Sequence, residues 1–527
     1  MTLVIEGTLV PMRKSDSQGC FKGRIYLSDD GTIVDIAQNG QPPPAGFADS
    51  KIVDVGDAFV YPGLIDMHSH IGYNALPLWH RASEPKPYLH HDIWPGRSGY
   101  KEHVGWPAWL LAKGAPEALM IYVQVQALAG GTTAIQGWPI VNRTPANQLL
   151  RNIDDQSFAD EFEGRDNMLS SALTLDSEGL AKKAESLAKR MGFIYHCAEG
   201  QKGSKVVREF DDLCTANCLR ERLIVIHCCA VNGGAFRKWK ERAALMNDAA
   251  PGAVVWSPFS NLWLYGRGQT TDIPAALENG LKVCLGTDWG PSGTKNLLGE
   301  LKAAKLCAED LGWNLSDFDL VEMVTRSPGE MLRRCWNKPV GILDAGSLGD
   351  LVVVRRKSDD PWTNLVEANE EQIQLVVIGS QPRYGTRALM RACGMRRTTS
   401  VRIGREHRHI ELFDPADADK PREERRHWTW EHALDQLERV RRNPTLEFVT
   451  DLSGNAELGG SVASPAQGLI IELDMPGALG MIAGPPPASV EVDVQPIPSL
   501  RHDRNWRHDV RHGGFHGGVF DELDRFY

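Results

Sequence analysis

Two histidines in the sequence are arranged so that both could bind one metal ion. His68 and His70 close the apolar run LIDMHSH. Residues i and i+2 of a strand point to the same face, so both imidazoles can reach one point in space. Imidazole is the commonest metal ligand in proteins. A His-x-His pair is weak support by itself, so a metal site requires further ligands from elsewhere in the chain.

Further candidate ligands stand at the ends of other apolar runs. His196 ends FIYH, His227 ends LIVIH, and Asp288 ends KVCLGTD. Glu199 follows His196 by three residues and adds a carboxyl group that could transfer a proton. If these runs are parallel strands of one barrel, their carboxyl ends meet at the face where barrel enzymes carry their active sites. The pattern therefore predicts one site assembled from separate strands.

The elements that would position these residues extend from Leu64 to about Trp336. Short apolar runs alternate there with helical stretches, which is typical of βαβ units and a parallel sheet. The predicted strands are LIDMH, TTAIQ, LLRNI, MLSSALTL, FIYH, LIVIH, AVVWS and KVCLGT. The helix PEALMIYVQVQALAGG opens at Pro116 and ends at Gly130 and Gly131. Eight such units in about 270 residues match the usual size of a (β/α)8 barrel.

Strand-like segments flank this region on both sides. The first 60 or so residues alternate short β-like runs with Asp-Asp-Gly and Asn-Gly turns, which predicts a small antiparallel unit. After the barrel, GSLGDLVVVRR and EQIQLVVIGSQPRYG are again strand-like, and we expect them to pair with the N-terminal strands. The predicted divisions are 1–62 and 338–395 for the two parts of this β unit, 63–337 for the barrel, and 396–527 for a C-terminal extension.

The C-terminal extension is rich in charge. We predict one ordered helix between Thr429 and Arg441, with Trp430, Leu434 and Leu437 on one apolar stripe. The final segment RHDRNWRHDVRHGGFHGG predicts a solvated, partly disordered tail. Residues from about 505 onward should then be removable with little loss of stability.

Composition restricts the class of protein. A chain of 527 residues implies two or three folding units, and 42% hydrophobic with 24% charged residues is ordinary for a soluble protein. The net charge of -10 argues against nucleic acid as the main ligand, because phosphate binding needs a basic face. No apolar run approaches the roughly 20 residues that cross a bilayer, and the N-terminus has no secretory-signal pattern. Ten scattered cysteines suit a reducing cytoplasm.

Together, the motifs resemble the amidohydrolase superfamily. They are PGLIDMHSH, GGTTAIQ, HCAEG, IHCCAVNG, WSPFSNLWLYG, LGTDWG and GSLGDLVVV. The likeness runs from Met1 to about residue 392 and leaves the C-terminal extension outside. It is greatest to the chlorohydrolase and deaminase branch, which is marked by His-x-x-Glu after strand five, here His196 to Glu199, and by a Ser-Asn pair, here Ser260 and Asn261.

The resemblance implies a barrel flanked by a composite β-sandwich. It also implies one divalent metal ion, with zinc favoured over iron. The ligands that it implies are His68, His70, His196 and Asp288.

Members of the superfamily with two metal ions bridge them with a carboxylated lysine on strand four. The corresponding segment MLSSALTLDSEG contains no lysine, and Lys182 and Lys183 come later, on the following helix. We therefore expect a mononuclear site. Family members differ on whether the strand-six histidine is a ligand, and for His227 we favour a place beside the metal.

A mechanism follows from this resemblance. Zinc lowers the pKa of a bound water to about 7, so hydroxide exists at neutral pH. Asp288 can take the proton of that water, and His227 can hydrogen-bond the nucleophile or the developing oxyanion. Glu199 can carry a proton to a ring nitrogen or to the leaving nitrogen.

Aromatic residues predict the shape of the substrate pocket. The long loop after strand one is rich in tryptophan and histidine, and such loops usually form the pocket at this face. Its members are Trp79, His80, His90, His91, Trp94, His103, Trp106 and Trp109. Trp138 and Trp289 follow strand ends directly, and with Asn261 they are the candidate substrate-binding residues. Aromatic walls with few polar groups suit a flat heterocycle or an aryl group.

The sequence thus predicts a hydrolase of a non-peptide carbon–nitrogen bond in a small heterocyclic or aromatic substrate. Glu199 and the mononuclear ligand set favour deamination. Hydrolysis of an amide or cyclic amide, and displacement of a halide, fit the same residues and stay open. A prolidase-like dipeptidase usually requires the bridging lysine or a second set of metal ligands, and the sequence contains neither. A non-catalytic assembly protein on this scaffold would have lost ligands. We expect a small-molecule substrate and a homo-oligomer, with no nucleic-acid or membrane partner.

Overall fold

The computed structural model describes residues 2–13, 19–80, 86–138, 147–154, 168–171, 174–336, 339–445, 448, 490–497 and 500–527. The strands of these ranges are β1 (Leu3–Leu9), β2 (Phe21–Leu27), β3 (Ile33–Gln38), β4 (Ile52–Pro62), β5 (Leu64–Asp66), β6 (Thr132–Ile135), β7 (Arg151–Asn152), β8 (Met168–Ser171), β9 (Gly192–Cys197), β10 (Leu223–His227), β11 (Ala253–Trp256), β12 (Lys282–Leu285), β13 (Leu351–Arg355), β14 (Ile373–Ile378), β15 (Gln381–Gly385), β16 (Thr399–Ile403), β17 (Glu406–Ile410), β18 (Leu412–Phe413) and β19 (His427–Trp428).

The α-helices of the same ranges are α1 (Trp106–Gly114), α2 (Pro116–Ala129), α3 (Ser177–Ala188), α4 (Val207–Thr215), α5 (Gly233–Leu245), α6 (Pro258–Tyr265), α7 (Ile273–Glu278), α8 (Leu297–Asp310), α9 (Asp317–Met323), α10 (Arg326–Trp336), α11 (Pro361–Val366), α12 (Arg387–Ala392), α13 (Trp430–Arg442) and α14 (Arg504–His512). A π-helical turn spans Lys101–Gly105, and 3-10 helices span Ile71–Tyr73, Trp94–Gly96, Glu370–Gln372, Pro415–Asp417, Arg422–Glu424 and Val519–Phe526. In these ranges no helix has both the length and the apolar character needed to span a membrane.

The central region consists of parallel strands that alternate with helices. Strands β5 to β7 form one sheet and β8 to β12 form another, each in chain order and parallel throughout. Each of the eight lies within or beside its predicted run, and helix α2 spans the predicted PEALMIYVQVQALA. Buried Val, Ile and Leu dominate strands such as β10, because helices cover the outside of a parallel sheet and the strands leave no solvated face.

Backbone hydrogen bonds join the carboxyl end of the last parallel strand to that of the first. The amide of Met67 donates to the carbonyl of Leu285 at 3.2 Å, and the amide of Asp288 donates to the carbonyl of His68 at 3.0 Å. Residues that lie some 220 positions apart in the chain are therefore held side by side at one edge of the parallel strands. That edge is where the predicted site residues are found.

Both flanks of the central region contribute to a single sheet, as predicted. Its nine strands run in the order β16-β17-β15-β14-β13-β4-β1-β2-β3. The prediction of a purely antiparallel N-terminal unit is wrong for one pair, because β1 runs parallel to β4. The β2–β3 hairpin provides the crossover that a parallel pair requires, and it leaves the other edge of β4 to pair with β13. Strand pairing between β15 and β17 extends this sheet past the predicted boundary at residue 395.

Helix α13 lies where it was predicted, but its buried stripe differs. Trp430 and Leu437 are buried as expected, and Ala433 and Val440 complete the stripe, whereas Leu434 is 38% exposed. The buried positions are three or four residues apart and follow the face that packs on α2, where Trp430 stacks on Tyr122. Leu434 was predicted from its hydropathy alone, but the face that contacts α2 carries the smaller Ala433 and Val440 instead.

The prediction of a solvated C-terminal tail is wrong. Residues 500–527 fold onto the central region, and their buried side chains are Leu500, Asp503, Trp506, Val510, His516, Val519, Phe520 and Leu523. The rings of Trp506 and Phe520 both stack on Phe259, with centroids 5.5 and 4.7 Å away. The overall polarity of the segment masked the apolar pairs that lie one turn apart, Trp506 with Val510 and Val519 with Leu523.

Candidate metal centre and active site

Five predicted residues converge at the carboxyl edge of the parallel strands. The rings of His68 and His70 follow β5 with centroids 4.9 Å apart, and the ring of His196 on β9 lies 4.7 Å from that of His68. The Nε2 atoms of His68 and His70 lie 3.2 and 3.8 Å from Oδ1 of Asp288. One potential ligand atom from each of His68, His70 and Asp288 lies within 4.8 Å of the others, and so do those of His68, His196 and His227.

Small residues and unusual backbone angles allow this convergence. A Cβ atom at Gly137 would lie 1.4 Å from the carbonyl oxygen of Ser69, and one at Gly286 would lie 2.5 Å from the Cβ of His68. The histidine-bearing segment after β5 can approach its neighbours only because both positions are glycine. His227 and Asp288 have positive φ angles of 67° and 60°. Left-handed backbone in such residues costs of order 1–3 kcal/mol each and concentrates at functional sites.

A chain of hydrogen bonds orients the His68 ring. The amides of Gly137 and Trp138 donate to Oδ2 of Asp154, whose Oδ1 accepts from Nε2 of Gln136. The Oε1 atom of Gln136 then faces Nδ1 of His68 at 3.3 Å. This arrangement places the ring proton on Nδ1 and directs the lone pair of Nε2 toward Asp288, as metal-binding histidines require. Sequence reasoning missed Gln136 and Asp154, although both stand at the ends of predicted strands.

A second chain of hydrogen bonds orients His227. The indole of Trp256 donates to the hydroxyl of Thr270 at 2.8 Å, and that hydroxyl donates to Oδ1 of Asn261 at 3.2 Å. The Nδ2 group of Asn261 then lies 3.1 Å from Nδ1 of His227 and donates to it. Burial lowers the pKa of His227 to about 3, against the attraction of Asp288, so the ring is neutral. Its single proton therefore belongs on Nε2.

Two carboxylates face that Nε2 atom. Oε2 of Glu199 lies 3.7 Å away and Oδ2 of Asp288 lies 3.9 Å away. Burial by itself would raise the pKa of the Asp288 carboxyl, but the neighbouring histidines, His68 foremost, hold it well below its usual range. Asp288 is therefore ionised at neutral pH and can accept a proton or a metal ion.

Glu199 is buried beside the histidines. Its Oε1 atom accepts a hydrogen bond of 2.5 Å from the hydroxyl of Tyr265. A surface ion pair with Lys202 or Lys205 would be the ordinary role of a glutamate at this position, but Glu199 is only 7% exposed and Lys205 pairs with Asp92 at 2.9 Å. Tyr265 was missed, although the motif WSPFSNLWLYG contains it together with the predicted Asn261.

Two of the predicted substrate-binding residues, Trp138 and Trp289, are buried next to residues of the site. Trp289 is 4% exposed and packs on Tyr73, Trp94 and Tyr100, with centroids 5.0 to 6.0 Å apart. Trp138 is 9% exposed, and its amide donates to Asp154. Asn261 contacts His227 directly. The rings of the loop after β5 thus pack against Trp289, which follows Asp288. The roles of Trp138, Trp289 and Asn261 in substrate binding stay predictions.

Comparison with known proteins agrees with this site. No protein-family model matches the sequence. A 5-methylthioadenosine/S-adenosylhomocysteine deaminase of Desulfitobacterium hafniense is 23% identical over 359 residues, which is 63% of this chain and 80% of that protein. This match confirms the resemblance to the chlorohydrolase and deaminase branch of the amidohydrolase superfamily that the sequence motifs indicated.

Solved structures of the superfamily share the fold. A mutant atrazine chlorohydrolase of Arthrobacter aurescens, complexed with zinc and atraton, superposes with a TM-score of 0.54 at 17% identity, over 72% of this chain and 94% of that one. An adenosine deaminase of Xanthomonas campestris with bound zinc gives a TM-score of 0.54 at 18% identity, over 74% and 97% of the two chains. These superpositions leave 28% and 26% of this chain unmatched.

Proposed function

We propose that this amidohydrolase is a metal-dependent deaminase that removes an exocyclic amino group from a small nitrogen heterocycle. The observation that carries the proposal is the position of Glu199, whose Oε2 lies 3.7 Å from Nε2 of His227 at the edge of the histidine cluster. A carboxyl group at this place can protonate a leaving amine, which an assembly protein would not need. Since the curated relative acts on methylthioadenosine, we propose a 6-aminopurine nucleoside as the substrate class.

The residues fit one divalent ion held by His68, His70, His196 and Asp288. Three imidazoles and a carboxylate are a donor set suited to zinc, with iron as the alternative. Strand β8, where a bridging lysine would stand, runs from Met168 to Ser171 and contains none, which supports a single ion. A zinc ion bound there would supply Lewis-acid activation of water at neutral pH. His227 is assigned a place beside the ion, because its Nδ1 accepts from Asn261 and its Nε2 holds the proton.

The protein's own groups then carry the protons. Asp288 accepts a proton from the attacking water, and Nε2 of His227 donates a hydrogen bond to the oxygen that bonds to the ring carbon. Glu199 delivers a proton to the exocyclic nitrogen. The new carbon–oxygen bond forms and the carbon–nitrogen bond breaks. Of the two protons of water, one leaves on ammonia and the other stays on the ring nitrogen of the 6-oxo product. Such general acid–base groups typically contribute about 10²–10⁴-fold in rate.

The same proposal extends to the fold. We propose that β5 to β12 close into a (β/α)8 barrel and that the nine-stranded sheet curls into a β-sandwich. The hydrogen bonds between the ends of β5 and β12 support closure. One apolar cluster shared by Ile5, Ile25, Val60, Val353 and Leu375, which come from both flanks, supports the sandwich.

An ammonia-release assay on the zinc-loaded protein, with mass spectrometry of the products for substrates that release no ammonia, tests the function. The panel should contain 6-aminopurine nucleosides, other heterocyclic amines, cyclic amides and chlorinated heterocycles. Ammonia from a 6-aminopurine, with conversion to the 6-oxo product, is the expected result. Turnover confined to cyclic amides or to chlorinated rings would replace deamination by one of those reactions, and no turnover of any class by metal-loaded protein would contradict the proposal.

A further inference from the structure

Three buried groups form a hydrogen-bonded chain that ends on Glu199. The indole Nε1 of Trp94 lies 3.1 Å from the hydroxyl oxygen of Tyr265, and this hydroxyl lies 2.5 Å from Oε1 of Glu199. Trp94 is 5% exposed, Glu199 is 7% exposed, and Tyr265 is fully buried. The three residues come from the loop after β5, from the end of α6 and from the segment after β9.

The donor and acceptor in each of these hydrogen bonds follow from the chemistry of the groups. An indole N–H can only donate a hydrogen bond, so the phenol oxygen of Tyr265 is the acceptor from Trp94. The hydroxyl hydrogen of Tyr265 is then directed to Glu199. Burial, with the nearby Glu199 carboxylate, raises the pKa of the Tyr265 phenol, so the hydroxyl stays protonated across the working range of an enzyme.

The two oxygens of Glu199 therefore differ. Oε1 accepts from Tyr265, and Oε2 is the oxygen that lies 3.7 Å from Nε2 of His227. We propose that Tyr265 is a positioning residue that keeps Oε2 as the oxygen which carries the transferable proton, and that Trp94 fixes the direction of the Tyr265 hydroxyl. This inference rests on the proposed role of Glu199 as the group that protonates the leaving nitrogen.

The loop after β5 contacts both the backbone and the side chain of Glu199. The amide of His91 donates to the carbonyl of Glu199 at 3.1 Å, and Trp94, three residues later, contacts its side chain through Tyr265. Trp94 also packs on Trp289, which follows Asp288. The position of this loop therefore determines the orientation of the Glu199 carboxyl group.

Conservative variants test the positioning role. Tyr265→Phe keeps the ring and removes the hydroxyl, and we expect kcat for the amino substrate to fall by about 10- to 100-fold, the range for one hydrogen bond to a charged group. Trp94→Phe should lower kcat in the same direction by less. Both should leave KM within about twofold and metal content unchanged, and the double variant should be no slower than Tyr265→Phe alone, because Trp94 acts only through Tyr265.

The leaving group separates this role from general loosening of the site. Chloride departs without a proton, so the Tyr265→Phe loss should be much smaller for a 6-chloropurine nucleoside than for the amine. Equal losses on both substrates, or a kcat within twofold of native on the amine, would overturn the positioning role. Tyr122→Phe is the matched control, because it removes the buried hydroxyl that donates to Gln495, far along the chain from Glu199. Its kcat should be native.

Glu199→Gln, measured beside these variants, distinguishes the two proposals. If Glu199→Gln is slow and Tyr265→Phe is native, only the positioning role fails. If Glu199→Gln itself turns over at more than half the native rate, the proposed role of Glu199 fails, and the positioning role fails with it. Should Tyr265→Phe not fold, Trp94→Phe alone decides by the same comparison of amino and chloro substrates.

Discussion

Asn261 and Tyr265 lie one turn apart on α6, and each donates a hydrogen bond to a different candidate catalytic group. Asn261 contacts His227 at 3.1 Å, and Tyr265 contacts Glu199 at 2.5 Å. Two other residues of the same helix, Phe259 and Trp263, pack against the C-terminal segment. A single helix therefore connects the docked C-terminus to the orientation of the site.

We predict that removal of residues 505–527 disables the enzyme. The deletion uncovers Phe259 and Trp263 and removes the stacking rings of Trp506 and Phe520. The expected result is a lower midpoint of thermal unfolding and a loss of kcat, with the deleted protein insoluble in the limiting case. The measurements are thermal unfolding and turnover.

Point variants refine this deletion. Trp506→Ala should destabilise the protein by about 3–5 kcal/mol, the usual range for a buried Trp→Ala change. His508→Ala, on the same helix but with a side chain 68% exposed, should be neutral. A truncated protein with native stability and native turnover would show that the docked segment does not support α6.

A second prediction concerns His227. His227→Ala should retain most of the bound metal while kcat falls by orders of magnitude, since the change removes a hydrogen-bond donor to the reacting oxygen and leaves the four ligands in place. Elemental analysis and turnover on the same preparation are the measurements. Protein that purifies without metal would make His227 a ligand.

A third prediction concerns the metal ligands themselves. His68→Ala combined with His70→Ala should abolish both metal content and activity, because the pair supplies two imidazoles to one centre. Purified native protein should contain about one ion per chain. Two tightly bound ions per chain would contradict the mononuclear site.

Stability should depend on pH through the His91–Glu209 pair. Burial disfavours charged His91, but the hydrogen bond to Glu209, with the charges of Glu199 and Asp92, outweighs it and raises the His91 pKa to about 9. Because the pKa of His91 is higher in the folded than in the unfolded protein, its protonation stabilises the folded state. This contribution to stability is complete below the unfolded pKa of about 6.5 and is lost as the pH rises through 9. The difference in thermal midpoint between native protein and His91→Gln should therefore shrink steadily from pH 6.5 to 9.

His80→Gln is the control for this pH series. Burial lowers the pKa of His80 in the folded protein. Its contribution to stability is therefore complete at any pH above the pKa of the unfolded chain and is lost only as the pH falls below that pKa. Its difference from native protein should stay flat between pH 7.5 and 9. A His91→Gln difference that is equally flat would show that His91 is not charged in the folded protein.

The sequence was sufficient to predict the residues at strand ends. His68, His196, His227 and Asp288 each close an apolar run, and parallel strands bring such ends to one edge, so their convergence could be read from order and spacing. Gln136 closes one predicted strand and Asp154 directly follows another, but an amide and a carboxylate have too many ordinary roles for their position alone to reveal the hydrogen-bonded chain to His68.

Contacts that depend on packing between distant segments could not be predicted from the sequence. Tyr265 contacts Glu199 only because α6 begins directly after β11, and no periodicity specifies which residue of that helix turns toward β9. The docked C-terminus was missed for the opposite reason. Its average polarity is that of a disordered tail, but it is held in place by a few aromatic rings, such as Trp506, which stacks on the distant residue Phe259.

The rate of ammonia release by Glu199→Gln, relative to native zinc-loaded protein, tests the central claim most directly. Glutamine preserves the size of the side chain and can still accept from Tyr265, but it cannot deliver a proton to a leaving nitrogen. We predict native metal content, near-native KM for the 6-aminopurine substrate, and a kcat lower by about 10²–10⁴-fold. A variant that releases ammonia at more than half the native rate would contradict the claim that this site is a deaminase that acts through Glu199.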